Sequence, residues 1–439
     1  MMRNFTRFLS LVFVSALLMS QFAYGQLSGT YTIGSAGNYT TFSAAVSALN
    51  SGGVSGPVVF NVAAQTFSEK IILTPVSGAS LTNTISFIGA GNTQTTLTYS
   101  GSSTSNWSTV QFDGADYFVF KDMKVQNTGS SYANCFFFTN NSRYNTIHNC
   151  YINVGKGSAS YRIPIIASGS KTSYSTSGNN AWYNTISENT IYGGYYGIRM
   201  YGGGSSSPNL GNNFLDNLIT DQYYYPMYIY YNGEMHVQRN TIRNITSTGG
   251  YGIMLYYGTS DTVTHNDIQT QRYGMYFYYN NYYVKGQSLL ANNMIYNFGF
   301  RYNRGIYFYR AENTKVLFNT IWTKSSSSST SYCGIYAYYN NGCEIKSNIF
   351  VNSGGSYGRC IYENYGSWAD GSVDYNNYYS TGNYFVTWGG ATRSSLSAWQ
   401  TANPTLNVNS ISSNPYLAST TDMHLTASSP LLMGPNTDV

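Results

Sequence analysis

The chain has 439 residues, of which only 9% are charged, against a usual share of about 25%. Hydrophobic residues make up 42%, enough for a core, so a disordered chain is excluded. The net charge of +5 is small for this length and no run of Lys and Arg is present, so we expect no nucleic-acid partner. Tyrosine is in excess, with 46 residues, and this bias favours β-structure exposed to water.

The first 25 residues have the features of a targeting segment. Two early arginines precede a short apolar stretch (9–19), and Ala-Tyr-Gly (23–25) is a small-x-small cleavage site. No stretch reaches the ~18 apolar residues of a membrane span, so we expect no membrane-spanning segment. We therefore predict a signal peptide over 1–25, a mature chain that begins at Gln26, and a protein that is secreted or lies on the outer cell surface.

Cysteine and histidine show no pattern of a metal or redox centre. Five cysteines follow the targeting segment: Cys135, Cys150, Cys333, Cys343 and Cys360. None has a Cys-x-x-Cys partner, and the four histidines form no spaced metal motif with them. We predict small buried residues, with Cys150 as a free thiol, and we expect no metal and no cofactor.

A six-residue motif, apolar-x-x-Asn-x-apolar, repeats along the chain. Its central positions are Met123, Cys150, Asn189, Asn217, Asn240, Asn266, Asn293, Asn319, Asn348 and Asn376. Short repeats that combine strands and bends, without a helical pattern, are typical of a parallel β-solenoid. The Leu spacing of leucine-rich repeats and the longer period of propeller blades are missing. We predict an all-β parallel β-helix whose flanking apolar columns are buried.

The recurring Asn has a structural explanation. Asn tolerates the left-handed backbone region that a sharp bend demands, and stacked amides can hydrogen-bond to the coils above and below. We therefore expect these residues to stabilise the bends rather than to carry chemistry. Two Ser-rich stretches, 168–181 and 325–329, are predicted to be loops that leave the solenoid wall, and neither contains a recognisable motif.

Both ends of the chain carry further motifs. These are Gly-Thr-Tyr-Thr-Ile-Gly (29–34), Tyr-Thr-Thr-Phe (39–42) before a helical stretch (43–50), Gly-Pro-Val-Val-Phe-Asn-Val (56–62), Leu-Ser-Ala-Trp-Gln (396–400), Asp-Met-His-Leu (422–425) and Ser-Pro (429–430). They resemble the ends of right-handed parallel β-helix surface proteins that Gram-negative bacteria export by the type IX secretion route. The resemblance implies a right-handed helix, export, and a secretion domain beyond the Ser-Pro segment.

The domain organisation follows from the repeats and the resemblance. We expect one β-helix domain over 26–439, with a cap that contains a short helix and irregular first coils over 26–115. Regular coils are expected over 116–380, and the segment 381–439 is expected to be truncated. A solenoid also needs a covered end, and Pro-Asn-Thr (435–437) supplies no evident cap.

The position before each repeat centre is predicted to face outward, because both apolar neighbours face inward. It is occupied by Asp122, Asn149, Glu188, Asp216, Arg239, His265, Asn292 and Phe318. Two carboxylates about 5 Å apart on adjacent coils suit a retaining glycosidase, and an arginine beside them suits polysaccharide elimination. The catalytic candidates are therefore Glu188, Asp216, Arg239 and His265. The simpler interpretation is a solvated charge ladder with a weak surface pair.

Tyrosines recur on the outward side of a second strand in each repeat. Strict alternation with inward apolar residues places them there. The predicted ligand-binding residues are Tyr201, Tyr228, Tyr230, Tyr256, Tyr276, Tyr278, Tyr307, Tyr309, Tyr336, Tyr338 and Tyr362. Arg199 and Met254 interrupt one of the two columns, and Glu363 breaks the inward pattern of the last strand.

Three interpretations of these columns stay open at this point. Stacked rings could tie coil to coil, rigid rings with hydroxyl rims could bind sugars, or the surface could mediate self-association. We favour a surface adhesin or glycan-binding scaffold, with a polysaccharide or a cell-surface partner. The alternative is a polysaccharide lyase or glycoside hydrolase, and the residues favour binding over catalysis.

Overall fold

The computed structural model describes residues 25–244, 250–297, 303–324, 333–353, 357–364, 372–419 and 422–433. The predicted signal peptide, apart from Gly25, and the predicted Ser loop at 325–329 lie outside these residues. The described chain winds through three long sheets in turn, and each coil adds one strand to each sheet. Pairing is parallel throughout the coils, so the predicted all-β parallel β-helix is confirmed.

Sheet 1 has 13 strands and lies on the N-terminal side of the recurring bend. Its strands are Leu27–Ile33, Val54–Val62, Ile85–Gly89, Phe118–Lys121, Thr146–His148, Thr185–Ser187, Asn213–Leu215, His236–Gln238, Thr262–Thr264, Ser288–Ala291, Thr314–Leu317, Glu344–Lys346 and Val373–Asp374. Most are short, because the chain turns at the bend after a few residues.

Sheet 2 has 12 strands and follows that bend in each coil. Its strands are Thr66–Ser68, Thr96–Tyr99, Lys124–Asn127, Tyr151–Asn153, Thr190–Tyr192, Leu218–Thr220, Thr241–Asn244, Asp267–Thr270, Met294–Asn297, Thr320–Lys324, Ile349–Ser353 and Asn377–Ser380. Its inward column, which includes Ile191, Ile242 and Ile321, is fully buried, as is the matching column of sheet 1, so this prediction is confirmed.

Sheet 3 carries the tyrosines. Its strands are Ile71–Leu73, Ser108–Asp113, Tyr132–Thr139, Ile165–Ala167, Tyr196–Tyr201, Tyr225–Tyr230, Ile253–Tyr256, Tyr273–Tyr278, Arg304–Tyr309, Cys333–Tyr338, Arg359–Asn364, Val386–Trp388 and Ala391–Arg393, with Tyr161–Arg162 beside the third. The last two strands pair antiparallel. Two small sheets pair Ser142–Arg143 with Ala181–Trp182 and Asn209–Leu210 with Asn232–Gly233.

Helices cover both ends of the core. Helix α1 (Phe42–Gly52) is capped by the Thr41 hydroxyl and packs Phe42 and Leu49 on the first coils. Helix α2 (Leu396–Ala402) buries Trp399 against the ring of Tyr378, with the centroids 5.6 Å apart. Trp399 therefore covers the described C-terminal end of the core, whereas residues 435–437, in which the sequence shows no evident cap, lie outside the described residues. A 3₁₀ helix spans Pro430–Met433.

The segment after α2 runs back along the outer surface of sheet 2. The backbone N–H of Met423 donates to the hydroxyl of Tyr296 at 3.2 Å, and Met423 is buried there. Tyr296 pairs in register with Trp322, which pairs with Val351, so the segment lies over an apolar outward column. The Asp-Met-His-Leu motif (422–425) therefore has a structural role that the sequence did not show.

The recurring Asn residues form one continuous hydrogen-bonded ladder. The backbone N–H of Asn240 donates to Oδ1 of Asn266 at 3.0 Å, and its own Oδ1 accepts from the backbone N–H of Asn217. Nδ2 of Asn240 donates to the carbonyl of Phe214 at 2.9 Å. Each buried amide thus joins neighbouring coils and satisfies backbone groups that the bend leaves without strand partners.

The left-handed bend residue is not the Asn, and the prediction that it is was wrong. Ten residues that precede the repeat centres have φ between 48° and 59°; they are Asp122, Asn149, Glu188, Asp216, Arg239, His265, Asn292, Phe318, Ser347 and Tyr375. The Asn amide must point inward to bridge coils, so the residue before it makes the turn. All five cysteines are buried and free, which confirms the prediction for Cys150.

A buried carboxyl interrupts a second ladder on the other side of sheet 1. The side chains of Asn184 and Asn212 accept backbone N–H groups from the preceding coil, at 2.9 and 3.1 Å, and Asp261 accepts that of Met235 at 3.2 Å. Asp261 also accepts from Nδ2 of Asn280, whose Oδ1 is buried without a hydrogen-bond partner in the described chain. Burial raises the pKa of the Asp261 carboxyl well above its usual value.

We predict that Asn240→Ala lowers the free energy of unfolding by about 2 to 6 kcal/mol, because it leaves the Asn217 N–H and the Phe214 carbonyl buried without partners. Urea denaturation measures the change. Thr241→Ala, one residue away and facing outward, serves as the control and should cost below about 1 kcal/mol. Equal losses in the two variants would mean that the ladder contributes nothing beyond strand packing.

We predict that Asp261→Asn stabilises the protein at neutral pH. Because the folded pKa of Asp261 is raised, the folded chain holds a proton that the unfolded chain releases, and stability falls as pH rises above the ordinary carboxyl value. The substituted amide does not ionise, so the stability of the variant does not fall with pH in this way. Its Nδ2 can donate to Oδ1 of Asn280 once the Asn280 side chain has rotated. Thermal melts should show a gain at pH ~7 that shrinks toward pH ~4; a pH-independent difference would refute the buried carboxyl as its cause.

Candidate functional site

The outward bend residues form local pairs on an exposed edge. Arg239 binds Asp216 through two hydrogen bonds, Nε to Oδ1 at 2.7 Å and Nη2 to Oδ2 at 2.8 Å. Nε2 of His148 lies 3.9 Å from a Glu188 carboxylate oxygen, and His265 is exposed on the same bend. The structure therefore brings Asp216 to Arg239 and Glu188 to His148. Exposed pairs of this kind contribute little free energy, as expected for a solvated charge ladder.

The tyrosines of sheet 3 stack in register over seven coils, from Tyr196–Tyr201 to Arg359–Asn364. One predicted column reads Arg199, Tyr228, Met254, Tyr276, Tyr307, Tyr336 and Tyr362 along the strand pairings. The other reads Tyr201, Tyr230, Tyr256, Tyr278, Tyr309, Tyr338 and Asn364. The structure thus assembles all eleven predicted tyrosines on one surface.

A further column, which the alternation rule missed, precedes these two on the same strands. It contains Tyr196, Tyr225, Tyr251, Tyr273, Arg304, Cys333 and Arg359. The ring of Tyr273 lies 5.9 Å from that of Tyr276 and 5.6 Å from that of Tyr307, so the residue before Gly274 lies on the same surface as the outward tyrosines, although strict alternation would turn it inward. A Cβ on Gly274 would lie 2.3 Å from a methyl of Ile295 and 2.6 Å from the Gly305 carbonyl, which explains the recurring glycine. The repeated Tyr-Gly pair was the signal in the sequence.

A last column lies on the bend that ends each strand. It contains Tyr231, Tyr257, Tyr279, Arg310 and Tyr339, all with φ between 50° and 57°. We call the four columns together the tyrosine face, and number them from the Tyr196 column (first) to this bend column (fourth). The Arg199 and Tyr201 columns are the second and third.

Most rings of the face pack against rings of the adjacent coils. In the third column Tyr230 and Tyr256 are parallel, with centroids 4.3 Å apart, and Tyr278 and Tyr309 are 5.0 Å apart. Because these rings cover each other's faces, what they present to solvent is mainly edges and hydroxyls. The stacking interpretation is therefore part of the structure.

Arginines are inserted among the rings. The Arg199 guanidinium carbon lies 4.2 Å from the Tyr228 ring centroid, and that of Arg304 lies 3.6 Å from Tyr336. Arg199 and Met254, which the alternation placed outside, are only 5% and 2% exposed because neighbouring rings cover them. Cation–π contacts of this kind compensate part of the hydration that a buried guanidinium loses.

The phenols of the face are shielded from water although their strands face outward. Burial raises the pKa of Tyr230, Tyr256 and Tyr276 above the ordinary value, and it raises the pKa of Tyr336 to about 12. All of these hydroxyls are therefore protonated at neutral pH and can donate hydrogen bonds.

The loop at 168–181 packs on the N-terminal end of the face. The ring of Tyr174 lies 5.0 Å from that of Tyr161 and 5.8 Å from that of Tyr196, between centroids. Lys171 is anchored by an ion pair with Asp113 at 2.5 Å. The composition of this loop gave no indication that one aromatic residue would bind it to the tyrosines.

The last strand of the face, Arg359–Asn364, contains a buried acidic side chain. Glu363 points inward and is buried, as its break in the pattern implied, and it accepts the backbone N–H of Gly389 at 2.6 Å. Among the described residues no group of three or more His, Cys, Asp or Glu could hold a metal ion. Within the same residues, no helix is both long and apolar enough to span a bilayer.

We predict that the protein unfolds as its face tyrosines ionise. Because their pKa values are raised in the folded state, stability is constant below the unfolded phenol value of about 10 and is lost as pH rises through it. Tyrosinate absorbance and circular dichroism, recorded together in an alkaline titration, should change in one transition. Ionisation of nearly all phenols with the β-signal intact would show that the face is not shielded.

The fold has relatives among known proteins. No curated protein sequence matches the chain. A DFA-IIIase variant from Arthrobacter chlorophenolicus in complex with DFA-III is similar in structure, with a TM-score of 0.51, 8% identity, and coverage of 82% of this chain and 89% of that one. The A-module of a mannuronan C-5 epimerase from Azotobacter vinelandii has a TM-score of 0.47 and 14% identity, with coverage of 76% of this chain and 88% of that one. The Dettilon tailspike protein has a TM-score of 0.49 and 12% identity, with coverage of 92% of this chain and 73% of that one.

At these identities the likeness to the DFA-IIIase shows the fold alone, and the two lower scores add nothing to it. The model of the right-handed β-helix region matches residues 174–327 and 244–400, which together span more than half of the chain. The matched stretch contains the Asn ladder from Asn189 onward and the whole tyrosine face. The chain belongs to the right-handed β-helix family.

Proposed function

We propose that this protein is an exported surface adhesin or glycan-binding scaffold, and that the tyrosine face is its binding surface. The observation that carries the proposal is the repetition of outward columns rich in tyrosine, three of them over seven coils and the bend column over five, at the coil spacing of about 4.8 Å. Export, and the type IX route that the two chain ends imply, belong to the same proposal.

A glycan fits this surface chemically. Phenol hydroxyls donate and accept hydrogen bonds, and a polysaccharide offers hydroxyls at a regular repeat along its length. Tyr228 and Tyr230, whose hydroxyl oxygens are 3.3 Å apart, show that the rims of neighbouring columns lie within hydrogen-bonding distance. Because the ring faces of the third column are occupied by one another, we propose recognition by rims and edges rather than by sugar rings stacked on open ring faces.

The rigidity of the face supports a binding role. Its side chains are held by ring–ring contacts, with Tyr276 and Tyr307 4.6 Å apart and nearly parallel. Groups that are already fixed lose little conformational entropy when a ligand binds. The same contacts tie the coils together, so stability and binding are two uses of one arrangement.

The alternative, a polysaccharide lyase or glycoside hydrolase, uses the bend with Glu188 and Asp216. Asp216 is engaged by Arg239 in a bidentate pair on an exposed edge, which favours the charge-ladder interpretation. To test for enzyme activity, product release from glycans is measured for the parent and for the variant that combines Glu188→Gln and Asp216→Asn. Release that disappears in the variant would establish the enzyme.

We predict that Tyr276→Phe combined with Tyr307→Phe weakens adsorption to polysaccharide without lowering the melting temperature by more than a few degrees. Phenylalanine keeps the stacked rings and removes the two hydroxyls, so it separates binding from coil stacking. The corresponding Ala variant should lose both adsorption and stability, since each ring pair contributes about 0.5 to 1.5 kcal/mol. Adsorption is measured on a panel of insoluble and soluble glycans.

The matched control is Tyr117→Phe with Tyr144→Phe. These two rings are also stacked, 5.3 Å apart, but they lie on a different bend outside the face. The control should adsorb like the parent. If the face variant also adsorbs like the parent while its Ala counterpart only melts lower, the columns are structural ties and the binding proposal fails. A concentration-dependent shift on a sizing column would indicate self-association instead.

A further inference from the structure

The tyrosine face is a connected network of ring contacts. Rings touch along a column, as Tyr230 and Tyr256 do at 4.3 Å between centroids, and across columns, as Tyr228 and Tyr230 do at 5.4 Å. A path of such contacts, none longer than 6.2 Å, joins Tyr223 beside the first column to Tyr283 beside the fourth. Electron transfer between aromatic rings slows steeply as their separation grows, so rings in contact exchange electrons far faster than isolated rings do.

Three tyrosines at the ends of this network are exposed. Tyr223 is 42% exposed and contacts the ring of Tyr224 at 5.3 Å. Tyr283 is 51% exposed and contacts the ring of Tyr282 at 5.0 Å. Tyr339, in the fourth column, is 44% exposed, and the other described tyrosines of the four columns are buried or half-buried. The network therefore has a shielded interior and a few accessible ends.

The shielded interior is a poor place for an oxidised phenol. Oxidation of a phenol removes an electron and releases the hydroxyl proton, and burial raises the pKa of Tyr256 and Tyr276 above the ordinary phenol value. A positive charge that stays on a ring without this release is costly in apolar surroundings. A phenoxyl radical is therefore more stable at the exposed ends, where water takes the proton, than in the interior.

We propose that the tyrosine face passes one-electron oxidation along its rings to its exposed ends, and that Tyr223, Tyr283 and Tyr339 are sites of dityrosine coupling between copies of this chain. The oxidant is of the one-electron class that a haem peroxidase and hydrogen peroxide supply. This inference goes beyond the binding role proposed above and does not depend on it, because it requires ring contacts and exposed ends rather than a ligand.

Each dityrosine consumes one hydrogen peroxide. Two phenols give up two electrons and two protons, which reduce the peroxide to two waters. Within the face, a phenoxyl radical takes an electron and a proton from the next phenol and becomes a neutral phenol again; the hydroxyl oxygens of Tyr228 and Tyr230, 3.3 Å apart, are placed for one such exchange. Two radicals at exposed ends then form a carbon–carbon bond between ring positions ortho to oxygen, and the hydrogen on each of these carbons moves to its oxygen.

Exposure alone predicts a different distribution of products. Tyr375 and Tyr416 are 54% and 52% exposed, and neither contacts another ring of the described chain. If exposure alone determined coupling, these two would react as readily as Tyr223 and Tyr283. With a relay they receive only the oxidation that strikes them directly, whereas each end of the face also receives oxidation from the half-buried rings behind it.

The test is photo-oxidation of the full chain, with tris(bipyridine)ruthenium(II) and persulfate as the source of the one-electron oxidant. Dityrosine fluorescence measures total coupling, and mass spectrometry of peptides identifies the tyrosines that are joined. We expect covalent dimers in which the linkages occur several-fold more often at the three ends of the face than at Tyr375 or Tyr416. This comparison needs no variant.

A variant then separates one end from the network. Tyr257→Phe, Tyr279→Phe and Tyr282→Phe together remove the hydroxyls of the rings that Tyr283 contacts in the described chain, and they keep the rings themselves. Because this oxidant does not oxidise phenylalanine, coupling at Tyr283 should fall to the level of Tyr375.

The matched control removes three hydroxyls from a separate stack. Tyr117→Phe, Tyr144→Phe and Tyr183→Phe change rings that stack at 5.3 Å on a bend outside the face. Coupling at Tyr283 should be unchanged in this control.

Three outcomes would overturn the proposal. Equal coupling in the parent at Tyr375 and at the ends of the face would show that exposure alone selects the sites. Coupling at Tyr283 that survives the three substitutions around it would show direct oxidation of that ring. Oxidation that collects on the buried Cys333 thiol of the first column, in place of the exposed ends, would contradict the assigned sites. None of these outcomes affects the proposed adsorption to polysaccharide, which is measured separately.

Discussion

The structure depends on one constraint, the stacking of each coil on the next at the strand spacing, and the Asn ladder enforces it. Each ladder Asn bonds the backbone of the adjacent coils, as Asn240 does with Asn217, Asn266 and Phe214. A side chain at a given position in one coil therefore lies directly over the same position in the next. A residue type that recurs once per repeat in the sequence therefore forms a column along the solenoid, and adjacent columns form a surface.

The tyrosine face is the largest surface that this stacking of equivalent positions forms. Rings that would be isolated on a single strand meet at 4.3 to 5.6 Å along the third column, so they shield one another. Shielding raises the phenol pKa values and buries Arg199. The same columns thus combine coil-to-coil contacts, protonated hydroxyls and positive charge on one surface.

The fold and the inward columns could be predicted from the sequence, because the period and the alternation determine which residues face the core. The first tyrosine column could not, since the inward–outward alternation changes phase at Gly274, and only the close packing of Ile295 against this position shows why a glycine is needed there. The cover of the C-terminal end by Trp399 depends on a long-range contact that periodicity does not encode. Nor does composition show that Tyr174 anchors a Ser-rich loop, because its partners come from other coils.

The most direct test of the central claim is tyrosine footprinting in the presence of polysaccharide. Iodination or nitration, followed by mass spectrometry, would report the protection of each phenol with and without ligand. If the face is the binding surface, protection should be confined to its columns, including Tyr278 and Tyr309, and absent at the stacked but separate Tyr144 and Tyr183. Protection at the separate stack, or none on the face at saturating ligand, would contradict the account.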